Sequence, residues 1–373
     1  MTASKRKAAI LGAGPIGCAT AAHMAAQGRE AALWSPTGSR VRIDNGKAYF
    51  RTKGALDAEV CVDWLDDLGL LTDFDEIIIC LPGNLYQDIL PDALPHLRSG
   101  QTVLVSSALS LVTLWLSDQA QALGKRLRVG GWSTTATTAH FEADGRLHLN
   151  ELRGAIGLSS ARPEDGAALL QASEHMLGAR FVRDASPLAS AIANINPIAH
   201  AAEVIPNLSR MVRGEDWPLF GCFGIEVGRL AQRLDDERLA IGAHFGFTLR
   251  SLAEHYHRSY HVPLGPLHEI AAAIEAAGKG PLGPKRLEHR YVLEDMPFGL
   301  AFQERLAQLA GIPCTAHSSA LTVLEIVYDR DLRNANFLLD ALLPDARALA
   351  ALAGNAGPRC DSGQDTSREA FPA

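Results

Sequence analysis

The sequence predicts an α/β domain built on a parallel sheet, followed by an all-α second domain. Three observations carry this. Short apolar runs alternate with helical stretches through the first half of the chain. A glycine-rich turn joins the first of these runs to the first helix. From about Pro187 onward the apolar residues recur every three to four positions, the period of a helix.

In order, "KAAILGAG" reads as a strand ending in glycines. "PIGCATAAHMAAQG" reads as an Ala-rich helix, closed by Gly28. "EAALWS" is a second strand. "EIIICLP", "TVLVSS" and "RLRVGGW" are further strands rich in β-branched residues, and "RGAIGLSS" and "ARFVRD" are the last. Such alternation implies βαβ units and a parallel sheet over residues 1–185. "CFGIEVGRLAQRLDDERLAIGAHFG", "GPLHEIAAAIEAAG" and "FGLAFQERLAQLAG" are helical segments of a second domain, residues 186–352. The polar end, "GNAGPRCDSGQDTSREAFPA", places a disordered tail at 353–373.

The bulk numbers exclude several classes. A chain of 373 residues, 47% of them hydrophobic, suits about two cored domains. A net charge of −7 gives no global basic field for nucleic acid or anionic lipid. No apolar run reaches the roughly 18–20 uncharged residues of a membrane span. "MTASKRKAAILGAG" shows no signal-peptide pattern, which points to the cytoplasm. Six scattered cysteines with no C-x-x-C pair read as reduced thiols, with Cys80 buried and inert.

Gly12, Gly14 and Gly17 form G-x-G-x-x-G directly after a strand and at the start of a helix. Gly12 would allow the tight turn, Gly14 the approach of backbone N–H groups to a pyrophosphate, and Gly17 close packing of helix on strand. Pro15 suits the first helical turn, and Ile16 completes the loop. This is the fingerprint of a Rossmann-type dinucleotide domain. At the end of the second strand, "LWSPTGSRVR" puts Ser35 where an NAD-type site has an acid. Ser35, Thr37, Ser39, Arg40 and Arg42 are donors or cations suited to a 2′-phosphate. The expected cofactor is therefore NADP in preference to NAD.

Two segments of the second half carry polar groups in apolar surroundings. "NINPIAHAA" holds His200 with Asn194 and Asn196; "HRYVLEDMPFGLAF" holds Arg290 and Asp295 among aromatic and aliphatic residues. Burying such groups is costly unless they are paired or functional. A carboxylate beside an imidazole orients the ring and favours its protonated form, so Asp295 would suit His200 as partner. "EHYHRSYH" offers His255, His257 and His261, with His257 and His261 on one helix face. No zinc-type second ligand set follows, so no metal is expected. In "WSTTATTAH", Ser133, Thr134 and Thr135 are candidate ligand contacts or turn residues.

"LGAGPIG", "NINPIAHAA", "LDDERLAIGAHFG" and "HRYVLEDMPFGLAF" occur in this order from about residue 7 to 330. Together they resemble the octopine/nopaline (opine) dehydrogenases. "NINPIAHAA" is similar to the bacterial octopine synthase pattern, except that Ala201 stands where a proline usually follows the histidine. The resemblance implies a Rossmann domain and an all-helical domain with the site between them. It implies that an amino acid and an α-keto acid condense and that the imine is reduced with NAD(P)H. The family's catalytic histidine maps onto His200, its paired aspartate onto Asp295 and its substrate-binding arginine onto Arg290. Asn196 and Asn194 are candidate polar contacts near the histidine, or else capping and turn residues. A homodimer is expected only by analogy. A rival of the ketopantoate reductase or glycerol-3-phosphate dehydrogenase kind would use a lysine, and only Lys279 and Lys285 follow Lys125. A second rival is a non-catalytic dinucleotide sensor.

Overall fold

The computed structural model describes residues 7–38 and 40–355. Ser39, Cys360 and most of the expected tail lie outside the described residues.

The strands are β1 (Lys7–Leu11), β2 (Glu30–Trp34), β3 (Arg42–Asp44), β4 (Lys47–Gly54), β5 (Glu59–Trp64), β6 (Glu76–Ile79), β7 (Thr102–Val105), β8 (Arg128–Trp132), β9 (Ala139–Phe141), β10 (Leu147–Leu149), β11 (Ile156–Ser160) and β12 (Phe181–Arg183). One sheet takes them in the order β12-β11-β8-β7-β6-β1-β2-β5-β4-β10-β9, with β3 on β4. The centre, β8-β7-β6-β1-β2-β5, is parallel throughout. This is the strand order of a doubly wound Rossmann sheet, and the direction of winding reverses at β1.

Both flanks depart from the all-parallel expectation. β11 runs antiparallel to β8, and β4 antiparallel to β5. The segment after β2, where the sequence reading places no strand, forms a hairpin. Asn45 and Gly46 both take positive φ (48° and 70°), the backbone of a tight two-residue turn joining β3 to β4. That turn sends β4 back antiparallel to β3, and β4 pairs antiparallel with β5, which rejoins the parallel run beside β2.

Helices α1 (Pro15–Ala26), α2 (Tyr86–Ala93), α3 (Val112–Ala122) and α4 (Gly166–Leu177) cover the sheet. Successive residues of β1 alternate between its faces. Ala8 and Ile10 pack with Cys18, Ala19 and Ala22 of α1 and Leu169 of α4. Ala9 and Leu11 belong to the opposite core, with Leu90 of α2 and Leu116 of α3.

The rest is helical: α5 (Pro187–Ala193), α6 (Asn196–Arg213), α7 (Ile225–His244), α8 (Leu252–Tyr260), α9 (Leu267–Ala276), α10 (Arg290–Leu293), α11 (Ala301–Ala310), α12 (Thr315–Tyr328), α13 (Phe337–Leu342) and α14 (Ala346–Asn355). α14 covers the first three residues of the expected tail. A buried ion pair organises this half. Arg238, wholly buried, bonds Asp235 through Nε and Nη2 at 2.9 and 2.6 Å, and its remaining donors reach the carbonyls of Ile192 and Arg250. Asp235 also accepts the Leu252 N–H, so one pair ties the end of α5 and the start of α8 to α7. Its neighbour Glu237 accepts the N–H groups of Ala316 and His317, capping α12.

The two halves are not independent. Phe298 and Leu338 join the sheet's second core, and Leu111 joins the helical core. Among the described residues, no helix is long and apolar enough to cross a membrane.

Candidate active site

The glycine loop sits at the carboxyl end of β1, where the winding reverses. Such a switch point is where doubly wound sheets bind ligands. Gly12 has φ +114°, and a Cβ there would lie 2.6 Å from the Cys80 carbonyl oxygen, in the loop after β6. A Cβ on Gly17 would lie 1.8 Å from the Gly12 carbonyl oxygen, so only glycine lets α1 start this close to β1. A Cβ on Gly14 would meet nothing within 4 Å. Gly14 is also the N-cap of α1, with no side chain capping the first turn and Pro15 at its start. An uncapped first turn with open space beside Gly14 fits a dinucleotide pyrophosphate.

Beyond β2, Ser35 is half-buried and Thr37 and Arg40 are exposed. Arg42 is committed elsewhere: it pairs with Asp44 at 3.3 Å and lies 4.3 Å over the Tyr49 ring. Cys80 is half-buried rather than buried. Desolvation pushes its thiol up to about 12, so it stays protonated and unreactive.

His200 stands near the start of α6, and Asp295 at the end of α10, 95 residues away in sequence. His200 Nδ1 and Asp295 Oδ2 are 2.7 Å apart. The histidine side chain is 12% exposed and the aspartate 2%. Local structure fixes this meeting. Asp295 leads into a single π-helical turn, Met296–Leu300, which is fully buried. A Cβ on Gly299 would lie 2.1 Å from Pro197 Cγ, so the turn presses directly on the first turn of α6. The Tyr291 ring stacks on His200, with centroids 3.4 Å apart and planes 8° apart. His289 meets Tyr291 edge-on, and burial holds its imidazole neutral, down to about 4.

The same segment grips the sheet domain. Glu294 accepts the N–H of Gly83, in the loop after β6, at 3.2 Å. Phe298 packs on Gly83, and its carbonyl accepts from the Ser110 hydroxyl, which accepts in turn from Asn336 Nδ2. The histidine–aspartate pair is therefore held beside the loops at the switch point. Arg290 donates from Nε to Glu294 at 3.1 Å while its side chain stays half exposed. Asn196 is half-buried one turn before His200; Asn194 spends its side-chain oxygen on the Asn196 N–H at 3.0 Å, a turn role.

Sequence reasoning overlooked Glu203, one turn beyond His200 on α6. It is 3% exposed. Its Oε1 accepts from the Tyr256 hydroxyl at 3.3 Å, and its Oε2 has no hydrogen-bond partner. Burial, opposed by His200, lifts its carboxyl to about 7. An acid inside an apolar helical run was the available signal.

Other candidates have partners inside the protein. α8 ends at Tyr260 and His261 turns into the left-handed region, so His257 and His261 share no helix face. His257 Nδ1 instead bonds the Val262 carbonyl at 2.6 Å. The Ser133 hydroxyl accepts the Gly157 N–H, and the Thr135 carbonyl accepts from Arg153, which is turn chemistry. Lys279 bonds the Tyr260 carbonyl, and Lys285 pairs with Asp216.

Comparison with known proteins agrees with this architecture. Residues 183–328 match the alpha-helical domain of the NAD/NADP octopine/nopaline dehydrogenases. The chain is 25% identical over 340 residues to an opine dehydrogenase of Arthrobacter sp. (strain 1C), covering 90% of this chain and 94% of that one. It is 22% identical to a D-nopaline dehydrogenase of Agrobacterium tumefaciens (strain T37), over 77% of this chain and 78% of that one. The solved structure of an octopine dehydrogenase with NADH and L-arginine superposes with a TM-score of 0.70 at 13% identity, covering 87% of this chain and 90% of that one. With the Rossmann sheet, the glycine loop and the helical half all in place, the chain is similar in both halves to the NAD(P)-dependent octopine/nopaline dehydrogenases.

Proposed function

We propose that the protein joins the amine of an amino acid to the carbonyl carbon of an α-keto acid and reduces the resulting imine, with His200 and Asp295 as the acid–base pair. The observation that carries this reading is the 2.7 Å contact between His200 Nδ1 and Asp295 Oδ2, beside the loops where a nicotinamide cofactor fits. That cofactor, when bound, supplies the hydride that reduces the imine carbon.

The residues suit each proton step. With Nδ1–H donated to Asp295, His200 keeps the lone pair of Nε2 for substrate. Nε2 takes a proton from the ammonium group, freeing the amine to attack the carbonyl. The resulting imidazolium, stabilised by the Asp295 carboxylate, returns a proton to the hydroxyl of the carbinolamine, which leaves as water. Tyr291 restricts the ring to one plane, so the proton moves along one direction. Arg290, anchored through Nε, has free Nη groups to hold a substrate carboxylate. Asn196 contributes a polar contact one turn away. Ser35, Thr37 and Arg40 favour NADP over NAD.

The test is cofactor oxidation by the purified protein, with NADPH and with NADH. A panel of amino acids is offered with pyruvate, 2-oxoglutarate or glyoxylate. Turnover that requires both an amine and a keto acid is the expected result; reduction of a keto acid alone overturns the reading. The lysine-based rival is disfavoured because Lys279 and Lys285 are engaged elsewhere.

A further inference from the structure

We propose that Arg153 is a second carboxylate-binding residue of this site, taking one of the two carboxylates that the substrate pair brings. The inference rests on the proposed condensation and deepens it.

Arg153 lies between β10 and β11, in a turn that is held rigidly. Its N–H donates to the Ala136 carbonyl at 2.9 Å, and its own carbonyl accepts from Arg180 Nη1 at 3.0 Å. Its Nε donates to the Thr135 carbonyl at 2.9 Å, in the loop that follows β8. That fixes the guanidinium and leaves both Nη groups without a hydrogen bond among the described residues. The residue is accessible, yet packed closely enough for desolvation to lower its pKa, and no carboxylate acts on it to offset that.

Its charge is also felt in the helical half. Arg153 acts on His255 and Tyr260 of α8. Burial together with Arg250, Arg153 and Arg238 drives the His255 imidazole to about 4, so it adds no charge but reports the cationic field. Tyr260 in turn neighbours Glu203 and Tyr291, the ring stacked on His200. The Tyr260 ring lies 6.0 Å from that of Tyr256, which donates to Glu203 one turn beyond His200; Arg290 instead adjoins Tyr291 in sequence and is anchored by Glu294. The condensed product carries a carboxylate on each side of the new C–N bond. One guanidinium grips one carboxylate through paired N–H donors, so two carboxylates call for two such groups.

Arg153→Met and Arg153→Lys proteins, checked for native melting, test this by steady-state kinetics with NADPH. Arg153→Met should raise KM for either the amino acid or the keto acid by about 10- to 100-fold, with the other two KM values nearly unchanged. Whichever substrate responds is the one Arg153 holds, and Arg153→Lys should fall in between. Unchanged KM values, a fall in kcat alone, or a parallel rise in all three KM values including that of the cofactor would overturn the inference. Absence of any turnover in the unaltered protein would defeat the proposed function, but calorimetry still decides this point. Amino acids and keto acids are titrated beside the matching amines and aldehydes that lack the carboxylate. Binding that needs both the carboxylate and Arg153 supports the inference; equal results for the unaltered and Arg153→Met proteins sink it.

Discussion

The glycine loop and the histidine–aspartate pair belong to different halves joined through the loop after β6, and they are built in opposite ways. The loop is made of backbone: what matters at Gly12 and Gly17 is that no Cβ is present, because carbonyl oxygens stand 2.6 and 1.8 Å from where one would be. The pair is made of side chains 95 residues apart, brought to 2.7 Å by a buried π-helical turn. A backbone site fails when atoms are added, and a side-chain site fails when they are removed.

The largest effect should come from removal. His200→Ala and Asp295→Asn are each expected to lower kcat by about 10²–10⁴-fold, the usual contribution of positioned acid–base groups. Because Asp295 acts through His200, the double variant should be barely worse than His200→Ala alone. Additive losses in single-variant and double-variant kinetics would break the dyad into two unrelated residues.

Glu203 sharpens the contrast within the side-chain site. Asp295 and Glu203 are both buried carboxylates on the same histidine-bearing junction, but only Asp295 has an imidazole partner. Glu203 relies on one tyrosine hydroxyl, and its carboxyl titrates at about 7. A raised carboxyl pKa stabilises the fold below the ordinary carboxylate range, where the acid is neutral in both states. That stability is lost as pH rises through about 7 and the charge must be carried unpaired in the interior. Between pH 5 and 8 the unaltered protein should therefore lose up to about 3 kcal/mol more stability than Glu203→Gln. Chemical denaturation at both pH values measures it; parallel losses would show that Glu203 is ionised and satisfied throughout.

Addition tests the backbone site. Gly17→Ala puts a methyl group on the Gly12 carbonyl oxygen, which is backbone and cannot swing aside. Overpacking of this kind costs about 1–3 kcal/mol, and here it falls on the pyrophosphate loop. Weaker binding of both NADPH and NADH is expected, with the amino-acid KM unchanged. A normal cofactor KM would mean that the loop holds no pyrophosphate.

This division also explains what the sequence disclosed. The loop was legible because its three glycines lie close together in sequence, and Gly12 and Gly17 each answer a local steric need. His200, Arg290 and Asp295 stood out only as polar residues in apolar runs; no local rule says that they meet. "LDDERLAIGAHFG", one of the blocks carrying the family resemblance, turned out to be architecture: Asp235, Glu237 and Arg238 pin α5, α8 and α12. The β3–β4 hairpin was written in Asn45-Gly46 but was masked by the expectation of βαβ repetition. Glu203 and Arg153 were hidden because their meaning lies in an absence, a missing partner, which only three dimensions reveal.

The smallest effect concerns the one place where side chains decide the behaviour of the backbone site. The pyrophosphate loop treats NADH and NADPH alike, so discrimination falls to the residues after β2. No acid stands there to accept from a 2′-hydroxyl. Of the two arginines, Arg42 is held by Asp44 and by the Tyr49 ring, and its charge is already answered. Arg40 is exposed and makes no hydrogen bond or ion pair among the described residues, which suits its guanidinium to a 2′-phosphate. Arg40→Ala should reduce kcat/KM for NADPH by about 10-fold and leave that for NADH within about 2-fold, since one charge-assisted contact at an exposed site supplies little more. Raising ionic strength should narrow the gap between the two cofactors in the unaltered protein but not in the variant, because screening weakens only the contact that Arg40 makes. A preference for NADH in the unaltered protein would move nucleotide choice away from Arg40 altogether.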